Sequence, residues 1–214
     1  NLEKIDLATW ERHSHFQLFR GMERPHFGLT VEVDVTPIMR DLKPLGQPIF
    51  NLCLFALMGA ANQVPEFRTR FREGEVIRHD RVDASYTVPI DGNRFAFCET
   101  DYTADWQAFN RACQDRISQA STQTELTENI AAGDDRFIYL SCLPWVNFTA
   151  MYNPMAGPDD CIPRIIWGRI SDTAEGWRMP VCVEVHHALV DGLHLGQFFQ
   201  CLDRQFRALP ALVL

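Results

Sequence analysis

One stretch near the end of the chain decides how the sequence is interpreted. It reads Pro180-Val181-Cys182-Val183-Glu184-Val185-His186-His187-Ala188-Leu189-Val190-Asp191-Gly192-Leu193-His194. Valine alternates with other residues in its first half, which is the period-two pattern of a β-strand. Successive side chains of a strand point to opposite faces of the sheet. His187 is therefore predicted to share a face with Val185, whereas His186 faces the other way.

The position of His187 suits a catalytic base. The strand is predicted to end at Ala188, so the imidazole can be half-desolvated and still reach a substrate. Imidazole is a suitable general base because its ordinary pKa, about 6.5, lies near working pH. The proton would come from an alcohol. Asp191 and Gly192 then predict a turn into a final helix, where the carboxylate either caps the helix or pairs with a distant cation.

Other interpretations of this stretch stay open at this point. A histidine taken alone is more often a satisfied core residue than a base, and Asp191 can equally be a plain cap or turn residue. A metal site is a further alternative, since His186, His187 and Asp191 are all possible ligands. Adjacent strand residues point apart and cannot both bind one ion, so we expect no metal here.

Outward from this stretch, helix-like and strand-like segments follow one another. The predicted helices cover 8–20, 47–64, 104–120 and 192–207. The predicted strands cover 27–35, 66–79, 84–90, 94–99, 136–150, 162–171 and 177–187. Glu73-Gly74 and Asp91-Gly92-Asn93 predict hairpin turns, and 121–135 predicts a polar loop. The mixture favours an α+β two-layer sandwich, with a mixed, mainly antiparallel sheet and helices on one face.

The composition of the chain indicates its domain organisation and disfavours one class of partner. With 214 residues and 46% hydrophobic content, and with no repeat or linker, residues 1–214 are expected to form a single domain. The net charge of -8 disfavours binding to nucleic acid, which needs a basic surface.

The cellular location is predicted from what the sequence lacks. No apolar run is long enough to span a membrane, and the start does not resemble a secretory signal. The seven cysteines are scattered without a C-x-x-C pair, which is typical of reduced thiols. We therefore expect a cytoplasmic protein without a membrane partner.

Three segments, in the same order along the chain, resemble chloramphenicol acetyltransferases. His186 to Gly192 is similar to their HHxxxDG motif, Trp10-Glu11-Arg12-His13-Ser14-His15-Phe16 to their W-x-R-x-x-H-F, and Ser141-Cys142-Leu143-Pro144-Trp145-Val146-Asn147-Phe148 to their S-x-x-P-W-V-x-F. HHxxxDG alone is shared with dihydrolipoamide acyltransferases and peptide-synthetase condensation domains. The three motifs together identify the chain as a member of the chloramphenicol acetyltransferase family of CoA-dependent acyltransferases.

The resemblance implies roles for individual residues. His187 would be the base that deprotonates an acceptor hydroxyl, which then attacks the thioester of acetyl-CoA. Ser141 would donate its hydroxyl to the tetrahedral oxyanion, and its context, which lacks a G-x-S-x-G elbow, agrees that it is no nucleophile. Arg12 and Asp191 would form a buried ion pair that braces the histidine loop. That assignment leaves the group that orients His187 unidentified.

The resemblance also implies substrate contacts and an assembly. Phe19, Leu29 and Phe95 are expected in the acceptor pocket, and Arg169 is expected beside a phosphate of CoA. A homotrimer with an active site at each subunit interface is implied as well. The sequence departs from the family pattern at Glu184, where a Gln is usual, and at Arg169-Ile170, which replace a Lys-Tyr pair.

The sequence therefore predicts an O-acetyltransferase that moves acetyl from acetyl-CoA to chloramphenicol or a similar small apolar alcohol, by direct attack in a ternary complex. An antibiotic-resistance role follows from that acceptor. One alternative is the same chemistry with a different alcohol or thiol acceptor. The other is a protein that binds CoA or an apolar ligand without catalysis, against which the presence of His187, Ser141, Asp191 and Arg12 argues.

Overall fold

The computed structural model describes residues 2–123 and 134–214. Seven of the strands form a large sheet: β2 (His26–Asp34), β5 (Asp83–Ile90), β6 (Arg94–Thr100), β7 (Phe137–Leu143), β8 (Arg164–Gly168), β9 (Ser171–Thr173) and β10 (Gly176–His186). Three more form a small sheet: β1 (Leu2–Ile5), β3 (Thr69–Arg72) and β4 (Glu75–His79). The α-helices are α1 (His13–Arg20), α2 (Ile49–Gln63), α3 (Trp106–Ala120) and α4 (Gly192–Val213).

The large sheet is mixed. Its strands lie in the order β2-β10-β8-β7-β5-β6, and β9 pairs with the start of β10. The pairs β5–β7 and β7–β8 are parallel, whereas β10 is antiparallel to β2, β8 and β9, and β5 is antiparallel to β6. This arrangement confirms the predicted α+β class with a mixed, mainly antiparallel sheet.

The α-helices cover one face of the large sheet. Val181, Val183 and Val185 of β10 are buried on this face, which belongs to the main hydrophobic core. The ring of Phe50, at the start of α2, lies 5.3 Å from the ring of Trp167 in β8 and 5.7 Å from that of Tyr86 in β5. Because α2 lies between the sheet and the other helices, it is apolar on nearly every side.

On the opposite face of the sheet, β10 is covered by residues 144–163, which contain no helix or strand. Glu184 accepts hydrogen bonds of 2.8 Å from both the backbone N–H and the side-chain amide of Asn153. His186 accepts from the Ala188 N–H at its Nδ1, so its Nε2 carries the proton and donates to the Pro158 carbonyl, 2.8 Å away. These bonds hold the covering segment against β10.

Both predicted hairpin turns are present. Glu73 and Gly74 have φ values of 51° and 83°, and Gly92 and Asn93 have values of 78° and 58°. Two consecutive positive φ angles are the signature of the tight turns whose twist matches paired strands. The predicted strand 66–79 is wrong in detail, however, because it comprises a 3₁₀ turn, Pro65–Arg68, followed by the β3–β4 hairpin.

Other element boundaries differ from the predictions for local reasons. Helix α1 begins at His13 and not at residue 8, and β7 ends at Leu143 because Pro144 cannot donate to a neighbouring strand. Strand β1 was not predicted, since only its two end residues are apolar. Helix α4 runs six residues beyond its predicted end, with Pro210 inside its last turns.

Two further predictions concern the polar loop and membrane-spanning segments. The polar loop predicted at 121–135 falls mostly outside the described residues. None of the helices that the structure describes is both long and apolar enough to cross a bilayer.

The burial of His186 predicts a pH dependence of stability. Desolvation lowers the pKa of His186 from 6.5 to about 4. Between these values the unfolded chain binds the proton and the folded chain does not, so stability falls as pH falls from 6.5. Replacing His186 with Gln keeps a donor for Pro158 but removes the titration. Urea unfolding should show that wild type loses about 2 kcal/mol more than H186Q between pH 7 and pH 4.5.

The exposed His15 offers a matched control. H15Q should follow the wild-type pH profile. Parallel profiles for wild type and H186Q would contradict the assignment of this acid sensitivity to His186.

Candidate active site

The imidazole of His187 is confined by two aromatic rings. β10 ends at His186, and the His187 N–H donates to the Pro25 carbonyl at 2.9 Å. The imidazole stacks on Phe19, from the last turn of α1, with ring centroids 3.7 Å apart and planes inclined by 4°. The Phe27 ring of β2 lies 4.3 Å away, at 31°. The rings fix the plane of the imidazole, and His187 and His186 point to opposite sides as predicted.

The two nitrogens of His187 have different surroundings. Nδ1 is buried without a hydrogen-bond partner and lies 3.4 Å from Asp191 Oδ1. The side chain as a whole is 30% exposed. Nε2 is therefore the nitrogen available to a substrate. Phe27 was not identified from the sequence, because only the pairing of β2 with β10 brings it to His187.

Arg12 joins the start of α1 to the loop that contains His187 and Asp191. Its guanidinium donates two hydrogen bonds to the Asp191 carboxylate, from Nη1 to Oδ2 and, at 3.0 Å, from Nη2 to Oδ1. Nη2 also lies 3.5 Å from the carbonyl oxygens of His187 and Ala188. The side chain of Arg12 is only 11% exposed. Its hydrogen bond lowers the pKa of Asp191 and keeps that carboxyl ionised.

His194 contacts the backbone at the start of α4. The Asp191 N–H donates to His194 Nδ1 at 2.9 Å, and His194 Nε2 lies 3.7 Å from a carboxylate oxygen of Glu66. Burial lowers the pKa of His194. The contacts of His194, like those of His186, are with protein groups that position the backbone around His187.

Ser141 lies far from His187 in the same chain. Ser141 of β7 pairs with Ile166 of β8, which pairs with Cys182 of β10. His187 is five residues beyond Cys182, about 16 Å along the strand, and two strand spacings add about 10 Å sideways, so the separation is about 19 Å. Ser141 also shares the face of Cys182, which is opposite to that of Val185. Ser141 and His187 of one chain therefore do not meet in one site.

The predicted site residues fall into two groups. The histidine cluster consists of Arg12, Phe19, Phe27, His187 and Asp191. The serine cluster consists of Thr87, Phe95, Phe97 and Ser141. The hydroxyl oxygens of Thr87 and Ser141 are 3.0 Å apart. Phe97 is the strand partner of Thr87, and the Phe95 ring lies 5.7 Å from the Phe97 ring. Thr87 and Phe97 were not identified from the sequence, because only strand register reveals them.

The remaining two predicted substrate residues flank these clusters. Leu29 of β2 pairs with Val183, on the face of the histidine cluster, and is 38% exposed. Arg169 follows β8, is exposed, and donates its backbone N–H to the Val146 carbonyl at 2.9 Å. Leu29 thus lies on the same strand as Phe27, whereas Arg169 lies on neither cluster.

The possible metal ligands and the cysteine thiols were located as well. Residues 2–123 and 134–214 contain no group of three His, Cys, Asp or Glu side chains arranged to hold a metal ion. All seven cysteines are free, and burial raises the pKa of Cys142, next to Ser141, to about 12. Cys142 is therefore a protonated thiol at neutral pH and a poor nucleophile.

Comparison with known proteins identifies the family. The family model described as chloramphenicol acetyltransferase matches residues 1–203. The chain belongs to the chloramphenicol acetyltransferase family. Chloramphenicol acetyltransferase 2 of Escherichia coli is 29% identical over 205 residues, which cover 95% of this chain and 96% of that protein. This confirms the resemblance of the three motifs and makes the chain an acetyltransferase by family.

Solved structures support the same conclusion. The structure of a chloramphenicol acetyltransferase superposes with a TM-score of 0.88 at 26% identity, and covers 96% of this chain and 100% of its own. A probable dihydrolipoamide acetyltransferase from Listeria monocytogenes superposes with a TM-score of 0.67 at 15% identity, over 95% of this chain and 92% of its own. The second comparison shows a shared fold alone.

The ion pair of this acetyltransferase predicts a large effect of removing either partner. Arg12→Met leaves the Asp191 carboxylate, 31% exposed, without its cation. The free energy of unfolding should fall by about 3 kcal/mol, the lower end of the range for buried pairs because Asp191 is partly exposed. Asp191→Asn should lower the free energy of unfolding by a similar amount. The double variant should lower it by much less than the sum of the two single effects.

The control for this double-mutant cycle is Arg207→Met, which removes an exposed pair with Asp203 on α4. Arg207→Met should change stability by less than about 0.5 kcal/mol. Additive effects of the Arg12 and Asp191 substitutions in urea unfolding would show that the two side chains are not coupled.

Proposed function

We propose that this chain, as a single acyltransferase domain over 1–214, transfers acetyl from acetyl-CoA to a hydroxyl of chloramphenicol or a similar small apolar alcohol. The observation that carries the proposal is the confinement of the His187 imidazole between Phe19 and Phe27, with Nδ1 buried and Nε2 left for a substrate. A base held in this way needs no reorganisation when the acceptor arrives.

The chemistry follows from that geometry. His187 Nε2 takes the proton of the acceptor hydroxyl as its oxygen forms a bond to the thioester carbonyl carbon of acetyl-CoA. The carbonyl oxygen becomes an oxyanion, which the Ser141 hydroxyl stabilises by hydrogen bonding. The C–S bond then breaks, the carbonyl reforms, and the leaving thiolate takes the proton from His187. Free CoA and the acetyl ester are the products.

The side chains beside His187 favour an apolar acceptor. Phe19, Phe27 and Leu29 surround the imidazole or lie on the adjacent strand, and Leu29 is 38% exposed. In the serine cluster, Phe95 is 47% exposed. Such side chains bind an aromatic alcohol by burying its apolar surface, and a pocket of this kind needs only a few polar groups to orient the ligand. The relatives named chloramphenicol acetyltransferases have an acceptor of this kind.

Acetyl-CoA would meet the serine cluster and the exposed Arg169, whose guanidinium is suited to a phosphate group. The free cysteines fit a reducing compartment, and we place the enzyme in the cytoplasm, where it would confer resistance to the antibiotic.

The active site is proposed to form between subunits of a homotrimer. His187 and Ser141 of one chain are about 19 Å apart on opposite faces of the sheet, so a second copy must supply one of them. Trp145 and Val146, which follow the serine cluster on the chain, are 70% and 46% exposed. Apolar side chains of this size next to a half-site are typical of a surface that another subunit covers.

Replacement of His187 tests the chemistry. His187→Ala should lower acetyl transfer to chloramphenicol by about 10³-fold or more, because the hydroxyl loses its general base. The assay is thiol release from acetyl-CoA with and without chloramphenicol. His15→Ala, on the exposed side of α1, is the control. Normal turnover by H187A contradicts the proposal, and a burst of CoA without acceptor indicates an acyl-enzyme instead.

Subunit mixing tests the interfacial site. H187A and S141A are each impaired, but a chain of one kind can complete a site with a neighbour of the other. When the two variants are unfolded together and refolded as a 1:1 mixture, about one quarter of the sites should regain both residues. Activity should rise to about that fraction of wild type.

Two outcomes distinguish a site formed between subunits from a site formed within one chain. Variants refolded apart and then mixed should stay impaired, since intact trimers do not exchange during the assay. No recovery after joint refolding would show that each site is built within one chain.

A further inference from the structure

We propose that Thr87 is a positioning residue for the reaction: its hydroxyl donates to Ser141 Oγ, so that the Ser141 proton is directed at the oxyanion. The inference rests on the proposed function, because it assigns a role to a group that acts on Ser141. Thr87 was identified by its contact, since no sequence motif includes it.

Strand register holds the two hydroxyls together. β5 and β7 are parallel neighbours in which Tyr86 pairs with Leu140, so the next residues along, Thr87 and Ser141, also lie side by side. Their oxygens are 3.0 Å apart, and both residues are half-buried. Both strands lie inside the large sheet, with β6 and β8 on their outer sides. The pair is therefore fixed by two strands that cannot move independently.

The pair is isolated from other polar groups. Among the residues that the structure describes, neither hydroxyl has another hydrogen-bond partner. On the other side of Thr87, its strand partner is Phe97, whose ring cannot accept a conventional hydrogen bond. The Thr87 proton therefore has Ser141 Oγ as its acceptor, whereas the Ser141 proton has a choice between Thr87 and the substrate.

The direction of the bond matters for catalysis because each hydroxyl has one proton. If Ser141 donates to Thr87, its proton is unavailable to the oxyanion. If Thr87 donates to Ser141, that proton is free, and the incoming hydrogen bond strengthens the one that Ser141 makes. A charged acceptor favours the second arrangement in the transition state. The β-branched Thr87 side chain, which is stiff about χ1, also fixes where Ser141 Oγ can sit.

The experiment compares Thr87→Val, which removes the hydroxyl at constant shape, with Thr87→Ser, which retains it. T87V should lower kcat by about fivefold to tenfold, the worth of one hydrogen bond, with the KM values for acetyl-CoA and chloramphenicol unchanged. T87S should stay within about twofold of wild type. Thr173→Val, which removes a hydroxyl on β9, should leave kcat unchanged.

A double-mutant cycle with Ser141 decides between positioning and an independent role. S141A should lose about 10²-fold in kcat, and T87V/S141A should be no slower than S141A, because Thr87 acts only through Ser141. An additive loss, a change confined to KM, or equal damage by T87S and T87V would overturn the inference. If T87V does not fold, Thr87→Ala undergoes the same comparisons.

A structural readout keeps this inference separate from the proposed function. Absence of acetyl transfer by wild type to any acceptor would refute the proposed function alone. A high-resolution crystal structure of T87V should show the Ser141 hydroxyl in more than one rotamer, whereas wild type and T87S should show a single rotamer. One unchanged rotamer in T87V would overturn the positioning role whatever the activity.

Discussion

The ion pair between Arg12 and Asp191 is the interaction on which the histidine cluster depends. Arg12 lies just before α1, Asp191 just before α4, and the guanidinium also reaches the carbonyls of His187 and Ala188. One side chain therefore joins the start of α1 to residues 187–191, two segments that are far apart in the sequence. Because Phe19 is carried by α1, the same contact sets where that ring stacks on His187. Without the pair, the base would lose both its loop and its aromatic neighbour.

The two faces of strand β10 make different contacts. Its valines complete the core under the helices, whereas Glu184 and His186 hold residues 144–163 over the opposite face. The Glu184 side chain is accommodated on this face because Asn153 donates its backbone N–H and its side-chain amide N–H to one carboxylate oxygen. The same pleat separates His187 from Ser141. The chain thus builds two half-sites while it builds one core.

The parts of the structure that depend on local pattern were predictable from the sequence. The alternation in β10, the glycine-containing hairpins and the apolar α2 all appeared where the residues indicated, and Arg12 and Asp191 were paired through the family motifs. Features that depend on strand order were not. Phe27 and Thr87 carry no signal of their own, and they reach His187 and Ser141 only because β2 lies beside β10 and β5 beside β7.

The stacking of His187 on Phe19 has an electrostatic consequence. A phenyl ring carries negative charge density over its face and attracts a cation placed there. When the imidazole accepts a proton it becomes such a cation, with the Phe19 ring parallel to it and the Phe27 ring close by. The two rings that fix the plane of the imidazole therefore also present their faces to the charge that forms on it during the reaction. The two phenyl rings thus add to the attraction of the Asp191 carboxylate, whose Oδ1 lies 3.4 Å from His187 Nδ1.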